Sequence, residues 1–268
     1  MLGLNKIIPL NTEYKFLNLR KHFYIVSGIA IILSLAILIF KGLNLGIDFK
    51  GGTLIEISIK ESSISELREI LSPNFNEVSL QEFGDKNTII IRLQNDDIQE
   101  SIKTVEKVKQ LISNKVSEFR RSEFVGPTVS SELLWRGFQA VSFALFAILI
   151  YIWLRFEWQF GFGAVVALTH DVIFTLGILS ILNIEFSLST IAAVLTIAGY
   201  SINDTVVIFD RVRENLRKYK KLELTELFNM SINNTLSRTV MTSITTLLAL
   251  ISLYIFGGEV IKPFAFTM

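Results

Sequence analysis

Residues 199–211 read GYSINDTVVIFDR and close an apolar run that begins at Phe186. Asp204 therefore stands inside a stretch, Phe186 to Phe209, long enough to cross a bilayer core, which needs roughly 20 mainly apolar residues. A charge at that depth costs roughly 2.5–3.5 kcal/mol on insertion scales, so an intramembrane carboxylate marks a functional site by default. Working outward, four more stretches have the length and apolarity of spans. Phe23 to Phe40 is uncharged, Gly137 to Leu154 is bounded by Arg136 and Arg155, Phe160 to Asn183 contains His170 and Asp171, and Thr239 to Gly258 is uncharged between Arg238 and Glu259.

The composition agrees with a membrane protein. Half of the 268 residues are hydrophobic and 21 are Phe, and the mean hydropathy of +0.48 is high for a soluble domain. With no Cys, the chain has no disulfide and no thiolate metal site. Charges nearly balance and are segregated along the chain, so the net charge of +1 points to no particular partner. Arg20, Lys21 and His22 precede the first span as they would a secretory signal. The span is longer than a usual signal core, however, and Lys41-Gly42-Leu43-Asn44 follows it instead of a cleavage site, so it reads as an uncleaved anchor.

Lys and Arg in short flanks set orientation. Lys6, Lys15, Arg20 and Lys21 lie before the first span; Arg211, Arg213, Arg217, Lys218, Lys220 and Lys221 follow the fourth. The short loops on the other side offer only Lys262. The expected organisation is a cytoplasmic arm over residues 1–22, a first transmembrane helix over 23–40, and a periplasmic domain over 41–135. Transmembrane helices two to five follow over 136–258 with a cytoplasmic loop at 210–237, and 259–268 begins a further helix.

The 41–135 stretch is soluble in character. Thr53 to Ile59 alternates as a strand, and Ser63-Ile64-Ser65-Glu66 is a capping box opening a helix through Leu71. Val78 to Phe83 and Thr88 to Leu93 read as strands joined through Gly84-Asp85-Lys86-Asn87. Asp97 and Glu100 precede an amphipathic helix to about Glu118, with Ile98, Ile102, Val105, Val108 and Ile112 on its apolar face. Phe119 to Val125 completes a β-α-β-β-α-β order, that of a ferredoxin-like split unit. The fold class is thus a mainly α-helical polytopic membrane protein with an extracytoplasmic α+β ferredoxin-like domain.

Asp204 has two readings, a proton-carrying site or a polar clamp between helices. On its helix face lie Ile197, Tyr200, Ser201, Ile208 and Arg211; Arg211 is two turns away and Tyr200, at i−4, is within hydrogen-bonding reach. Arg238 either marks the membrane boundary or pairs with Asp204. The polar run Thr239, Thr242, Ser243, Thr245 and Thr246 behind it suits a helix facing protein or water. His170-Asp171 is a weak metal signal without further intramembrane His, and packing or relay fits it better than catalysis. No catalytic triad, phosphate loop or metal cluster stands out. GIDFKGGT (46–53), with Gly46, Gly51 and Gly52, and VGPTVSSELLWRG (125–137), with Gly126 and Pro127, flank the soluble stretch and read as hinges or as plain joints.

In order, the anchor helix, GIDFKGGT, the ferredoxin-like stretch, VGPTVSSELL, ALTHDVIFTLG and GYSINDTVVIFDRVREN resemble the SecD/SecF family of bacterial protein-export membrane subunits, within the resistance, nodulation and division (RND) superfamily. The resemblance implies an RND-like helix bundle in the cell inner membrane. Asp204 of the Asn203-Asp204 pair would move protons with Arg238 as partner, and Tyr200, Asn203, His170 and Asp171 would support them. It implies no catalysis, no metal and no cofactor beyond the proton gradient, whose flow would move a periplasmic domain that holds an emerging preprotein. Implied partners are SecD, the SecYEG channel with YajC, unfolded preprotein, SecA and membrane lipid, and no nucleic acid. An RND-type exporter of a lipid or small molecule, and a non-transporting scaffold for SecD, are the alternatives. Family members have six spans, whereas this sequence ends at GGEVIKPFAFTM, so the chain reads as truncated at a sixth helix.

The proton reading has a physical basis. Desolvation favours a neutral carboxyl and a nearby guanidinium favours the ionised one, so geometry can switch the two. Each charge crossing 100 mV is worth about 2.3 kcal/mol, enough to bias a modest conformational preference.

Overall fold

A computed structural model describes residues 12–60, 63–75, 78–82, 87–95, 97–258 and 261–268, the side chain of residue 82 excepted. Lys6, the Gly84-Asp85-Lys86 connection and Glu259 lie outside the described residues. The chain divides into two units, Leu45–Ala140 and Met1–Asn44 with Val141–Met268.

The smaller unit is the expected α+β domain. β1 (Gly52–Ile59), α2 (Ile64–Leu71), β2 (Val78–Glu82), β3 (Thr88–Leu93), α3 (Ile98–Ile112) and β4 (Val116–Val125) follow one another in β-α-β-β-α-β order; α1 precedes them in the chain. The sheet order is β2-β3-β1-β4, and each neighbouring pair is antiparallel. Ile55 and Ile57 of β1 and Ile89 and Ile91 of β3 pack against Leu67 and Leu71 of α2 and Val108 and Ile112 of α3. The expected cap is present: Ser63 Oγ accepts from the Glu66 amide at 3.3 Å.

Two expectations for this unit are corrected. The second helix stops at Ile112, and Val116 already pairs with Ile59, because Ser113 to Lys115 form a turn that starts β4 three residues before the expected Phe119. The inward face of α3 is also rotated. Ser101 and Thr104 are buried while Ile98 and Ile102 are exposed. A polar network at the head of α3 explains this. Thr53 Oγ1 donates to Asn95 Oδ1 at 2.7 Å and lies 2.8 Å from Ser101 Oγ, and Asn95 Nδ2 donates to Thr104 Oγ1 at 3.1 Å. Satisfying these buried polar groups outweighs the exposure of two isoleucines.

The larger unit is helical. Five helices are long and apolar enough to cross a membrane: Phe16–Phe40, which includes α1 (Arg20–Phe40), then α4 (Pro127–Arg155), α5 (Trp158–Ile181), α6 (Leu188–Lys218) and α7 (Leu224–Phe256). A short α8, Lys262–Thr267, packs against α6 and α7. Large apolar side chains such as Phe143, Trp153, Phe162 and Phe256 are 69–84% exposed, the pattern of a surface solvated by lipid.

Small residues let the helices approach. A Cβ on Gly177 of α5 would lie 2.4 Å from the Ser34 side chain and 2.9 Å from its Cα, so α1 and α5 meet backbone to backbone. Lys41 Nζ donates to the Ile181 carbonyl and Asn44 Nδ2 to the Asn183 carbonyl, both at 3.0 Å. At the other end Asn233 Nδ2 donates to the Tyr14 carbonyl at 2.9 Å, while its Oδ1 accepts from the Tyr14 amide at 3.0 Å. Ile152, Phe156, Ala164 and Ile202 form the buried centre where α4, α5 and α6 meet, with Phe160 and Phe209 packed on it.

The stretch 210–237, expected as a loop, is mostly helix. α6 continues to Lys218 and α7 starts at Leu224. Val212 and Leu227 are buried, and Asn215 Nδ2 donates to Ser231 Oγ at 2.9 Å in a buried contact. These contacts continue the α6–α7 pairing past the apolar segments, a tertiary effect that hydropathy does not register.

Candidate functional site

The length of α6 and its mid-helix polar residues set the site. Asp204 is half-buried there. Among the described residues no hydrogen bond or ion pair reaches its carboxylate, and its electrostatic partner is Arg238 of α7, which acts through space. The two helices pack together along their length, which brings positions 34 residues apart into mutual influence. Arg238 itself is exposed, so its guanidinium is free to change position without disturbing a packed core.

Tyr200 does not bond Asp204. Its phenol reaches instead to α7, where Thr246 Oγ1 donates to Tyr200 Oη at 3.4 Å with Thr242 and Ser243 nearby. Asn203 is exposed, and among the described residues it makes no hydrogen bond to this cluster. Arg211 turns away to Glu214 Oε2 at 2.8 Å. Thus the polar run of α7 faces protein in part: Thr239, Thr242 and Thr246 are half-buried and Thr246 meets Tyr200, while Ser243 and Thr245 are exposed.

His170 and Asp171 fall on α5 and join the site from the other side. His170 Nδ1 lies 2.9 Å from Asp171 Oδ1, and Ser201 Oγ donates to Asp171 Oδ2 at 2.6 Å. Ser201 is three residues before Asp204 on α6, hence on the same face. The result is a chain of polar groups, His170–Asp171–Ser201, ending one turn from Asp204. A cleft of about 300 Å³, lined by Asp171, Thr175, Tyr200, Ser201, Thr267 and Met268 among others, opens beside it. The Ser201–Asp171 bond and the contribution of α8 were not visible in sequence; only the shared face of Ser201 and Asp204 hinted at the former.

The two flanking segments meet each other. Gly51 has φ +74° and Gly52 φ +104°, both left-handed values that favour glycine. A Cβ on Gly51 would lie 3.2 Å from Ser130 Oγ and from the Val125 carbonyl, and one on Gly52 would lie 2.5 Å from the Leu93 carbonyl. Gly46 precedes a single helical turn, Ile47–Lys50, with ordinary extended backbone, Gly126 has ordinary backbone, and Pro127 opens α4 at the first helical position, where its missing N–H costs nothing. Gly51 and Gly52 therefore leave no room for a side chain, Gly51 against the end of β4 and the start of α4 and Gly52 against the end of β3.

Membrane-length helices with a carboxylate placed opposite an arginine, carried in one chain with a β-α-β-β-α-β domain, define a polytopic helical membrane protein bearing a small sheet domain. The family model described as protein export membrane protein SecD/SecF, C-terminal, matches residues 104–268, and that of the SecD/SecF GG motif matches residues 36–62. The chain belongs to the SecD/SecF family. It is 46% identical to the protein translocase subunit SecF of Rickettsia bellii, covering 97% of this chain and 88% of that one, and also 46% identical to that of Rickettsia rickettsii, covering 97% and 86%. Among solved structures, SecDF of Thermus thermophilus, a translocon-associated membrane protein, superposes with a TM-score of 0.86 at 34% identity. SecDF in a super-membrane-facing form gives 0.68 at 33%. Each match covers nearly all of this chain, and the chain spans 36% of the length of either SecDF.

Proposed function

We propose that this chain works as the SecF subunit of a Sec protein translocase in the cell inner membrane, with its N-terminus cytoplasmic and the β-α-β-β-α-β domain periplasmic. SecD is its immediate partner, the SecYEG channel with YajC lies beside it, and SecA supplies the earlier, ATP-driven push. The cargo is unfolded preprotein emerging outside. No bond is made or broken in the subunit and no cofactor is used; the energy comes from the proton gradient.

One observation supports this reading most: Asp204 is half-buried within the fourth apolar segment with no hydrogen-bonding partner among the described residues, and its only charged neighbour of influence is the exposed Arg238. A structural clamp would be bonded. A carboxylate left open, facing a cation that can withdraw, suits a group that changes protonation as the distance changes. Asp171 and Ser201 line the adjoining cleft, with His170 against Asp171, and offer water-linked proton exchange towards one compartment. Entry of one proton down 100 mV supplies about 2.3 kcal/mol, the scale of a modest domain rearrangement.

The test is Asp204→Asn, with SecD present, in inverted membrane vesicles that import a radiolabelled preprotein. The amide keeps size and polarity but takes up no proton in this range, so assembly with SecD should persist while gradient-dependent completion of transport is lost. Gradient-dependent transport at the unmodified rate would overturn the proton role and leave the clamp.

A further inference from the structure

Near the end of the bundle where α4 stops and α5 starts, two arginines lie over the buried ring of Phe156. The guanidinium carbons of Arg155 and Arg213 lie 5.5 and 5.7 Å from the centre of its ring. Asp210 clips the two together: Arg155 Nη2 donates to Asp210 Oδ2 at 2.6 Å, and Arg213 Nη1 is 3.7 Å from Asp210 Oδ1 and donates to the Arg155 carbonyl at 3.3 Å. Around them opens a cavity of about 710 Å³ lined by Arg155, Asp210, Arg213, Glu214, Arg217 and Lys218. Four cations against two carboxylates leave it positive, and Glu214 is already held by Arg211.

Charges that merely orient a span need no concavity and no shared aromatic ring beneath them. Here two planar forks are held side by side, with more N–H groups than their contacts consume, and two further cations, Arg217 and Lys218, lie exposed at the rim. Paired arginines in that arrangement match the oxygens of a phosphate. The pocket is continuous in the chain with lipid-facing apolar surface: Trp153, Leu154 and Trp158, 74–78% exposed, bracket Arg155. Tryptophans of that kind sit at headgroup level, where the basic pocket then lies too. A diffusing anion would need only the cations, whereas an anionic lipid uses both the pocket and the belt.

We propose that this pocket binds the phosphodiester headgroup of an anionic phospholipid, with the acyl chains lying along the belt. Arg155 and Arg213 grip the phosphate, and Arg217 and Lys218 add long-range attraction. The site is separate from Asp204 and does not depend on its role.

Native mass spectrometry of the full chain, released from detergent with phosphatidylglycerol or phosphatidylcholine added, reads the site directly. Phosphatidylglycerol should be retained at least several-fold over phosphatidylcholine, and Arg155→Gln with Arg213→Gln should cut that preference about tenfold. Arg136→Gln, a basic residue paired with Glu132 elsewhere, should leave it unchanged. Should the double variant fold poorly, Arg217→Gln with Lys218→Gln removes rim charges that make no ion pair among the described residues and should still reduce retention. Equal retention of both lipids, or no change in both double variants, overturns the proposal. Displacement of the lipid by millimolar inorganic phosphate would mark a small-anion site and overturn it also. So would shielding of Arg217 and Lys218 in phosphatidylcholine-only vesicles when SecD is present, which would assign the pocket to a protein partner.

Discussion

Arg238 and Asp204 test each other at the scale of single residues. Arg238 acts on the carboxylate through space without a closed ion pair, so its charge matters more than its fork in the arrangement seen here. Arg238→Lys should therefore retain part of the gradient-dependent transport, about one-third to one-tenth, because a more strongly hydrated ammonium on a shorter reach still supplies the charge. Arg238→Gln should behave like Asp204→Asn. Vesicle import at fixed gradient distinguishes the three, and equal rates for Arg238→Gln and the parent would remove Arg238 from the mechanism. Sequence alone places both residues but leaves open whether they face each other. It also puts Tyr200 within reach of Asp204, because i−4 spacing says that two residues share a face and nothing about where a phenol turns. In the folded protein that reach ends at Thr246.

Glycines decide the elements. Gly177 and Ser34 allow α1 and α5 to touch, and a side chain at 177 would meet the Ser34 backbone and not merely a movable tip. Gly177→Leu should separate these helices and cost about 1–3 kcal/mol by overpacking, read as earlier thermal unfolding in detergent. Unchanged unfolding would mean that α1 is held chiefly by its ends. Gly52 carries φ +104° with the Leu93 carbonyl 2.5 Å from any added Cβ. Gly52→Ala should destabilise the smaller unit by roughly 2–4 kcal/mol, combining backbone strain with a clash against the backbone. Amide exchange across β1 and β3 would accelerate; exchange rates like the parent's would refute the strain argument. Beside this, Glu56 shows what a bulge does. A register shift after Glu56 brings both Arg120 and Arg121 to its fully buried carboxylate, at 3.6 and 2.9 Å. Strand alternation would have sent those two arginines to opposite faces, so no pattern in the sequence foretells the pair.

Orientation is a property of the whole molecule. The excess of Lys and Arg before and at the start of α1, and in the last turns of α6 and the turn after it, sets the expectation that residues 41–135 lie outside. A periplasm-active reporter fused at Asn95 should be functional and one at Lys220 silent, and the reverse pattern would turn the protein over and remove the preprotein-holding role. Gly51 lies close to the segment from Val125 to Ser130. In the proposed function, a domain movement that leaves this contact intact would bend at Gly46 or along α4. A disulfide engineered between positions 51 and 130 should therefore leave transport intact. Loss of transport on oxidation, restored by reduction, would place the hinge at Gly51 itself.

Much of this was legible because the forces involved act locally or by sheer quantity. Five apolar stretches name their own solvent, the cap at Ser63 is satisfied three residues away, and alternating isoleucines must bury one face of a sheet whatever lies beyond. An aspartate in such a stretch announces a site for the same reason: its desolvation cost is a property of depth. Tertiary structure settled what depends on reach and on competing partners. Asn215 and Ser231 extend the α6–α7 pair through a stretch that hydropathy marks as loop, because one buried hydrogen bond and two buried apolar side chains suffice to continue helices already begun. Ser101 and Thr104 displace Ile98 and Ile102 from the inner face of α3, since an unpaired buried polar group costs more than an exposed methyl. The Ser201–Asp171 bond joins positions 30 apart on different helices, and only the packing of α5 on α6 puts them 2.6 Å from each other.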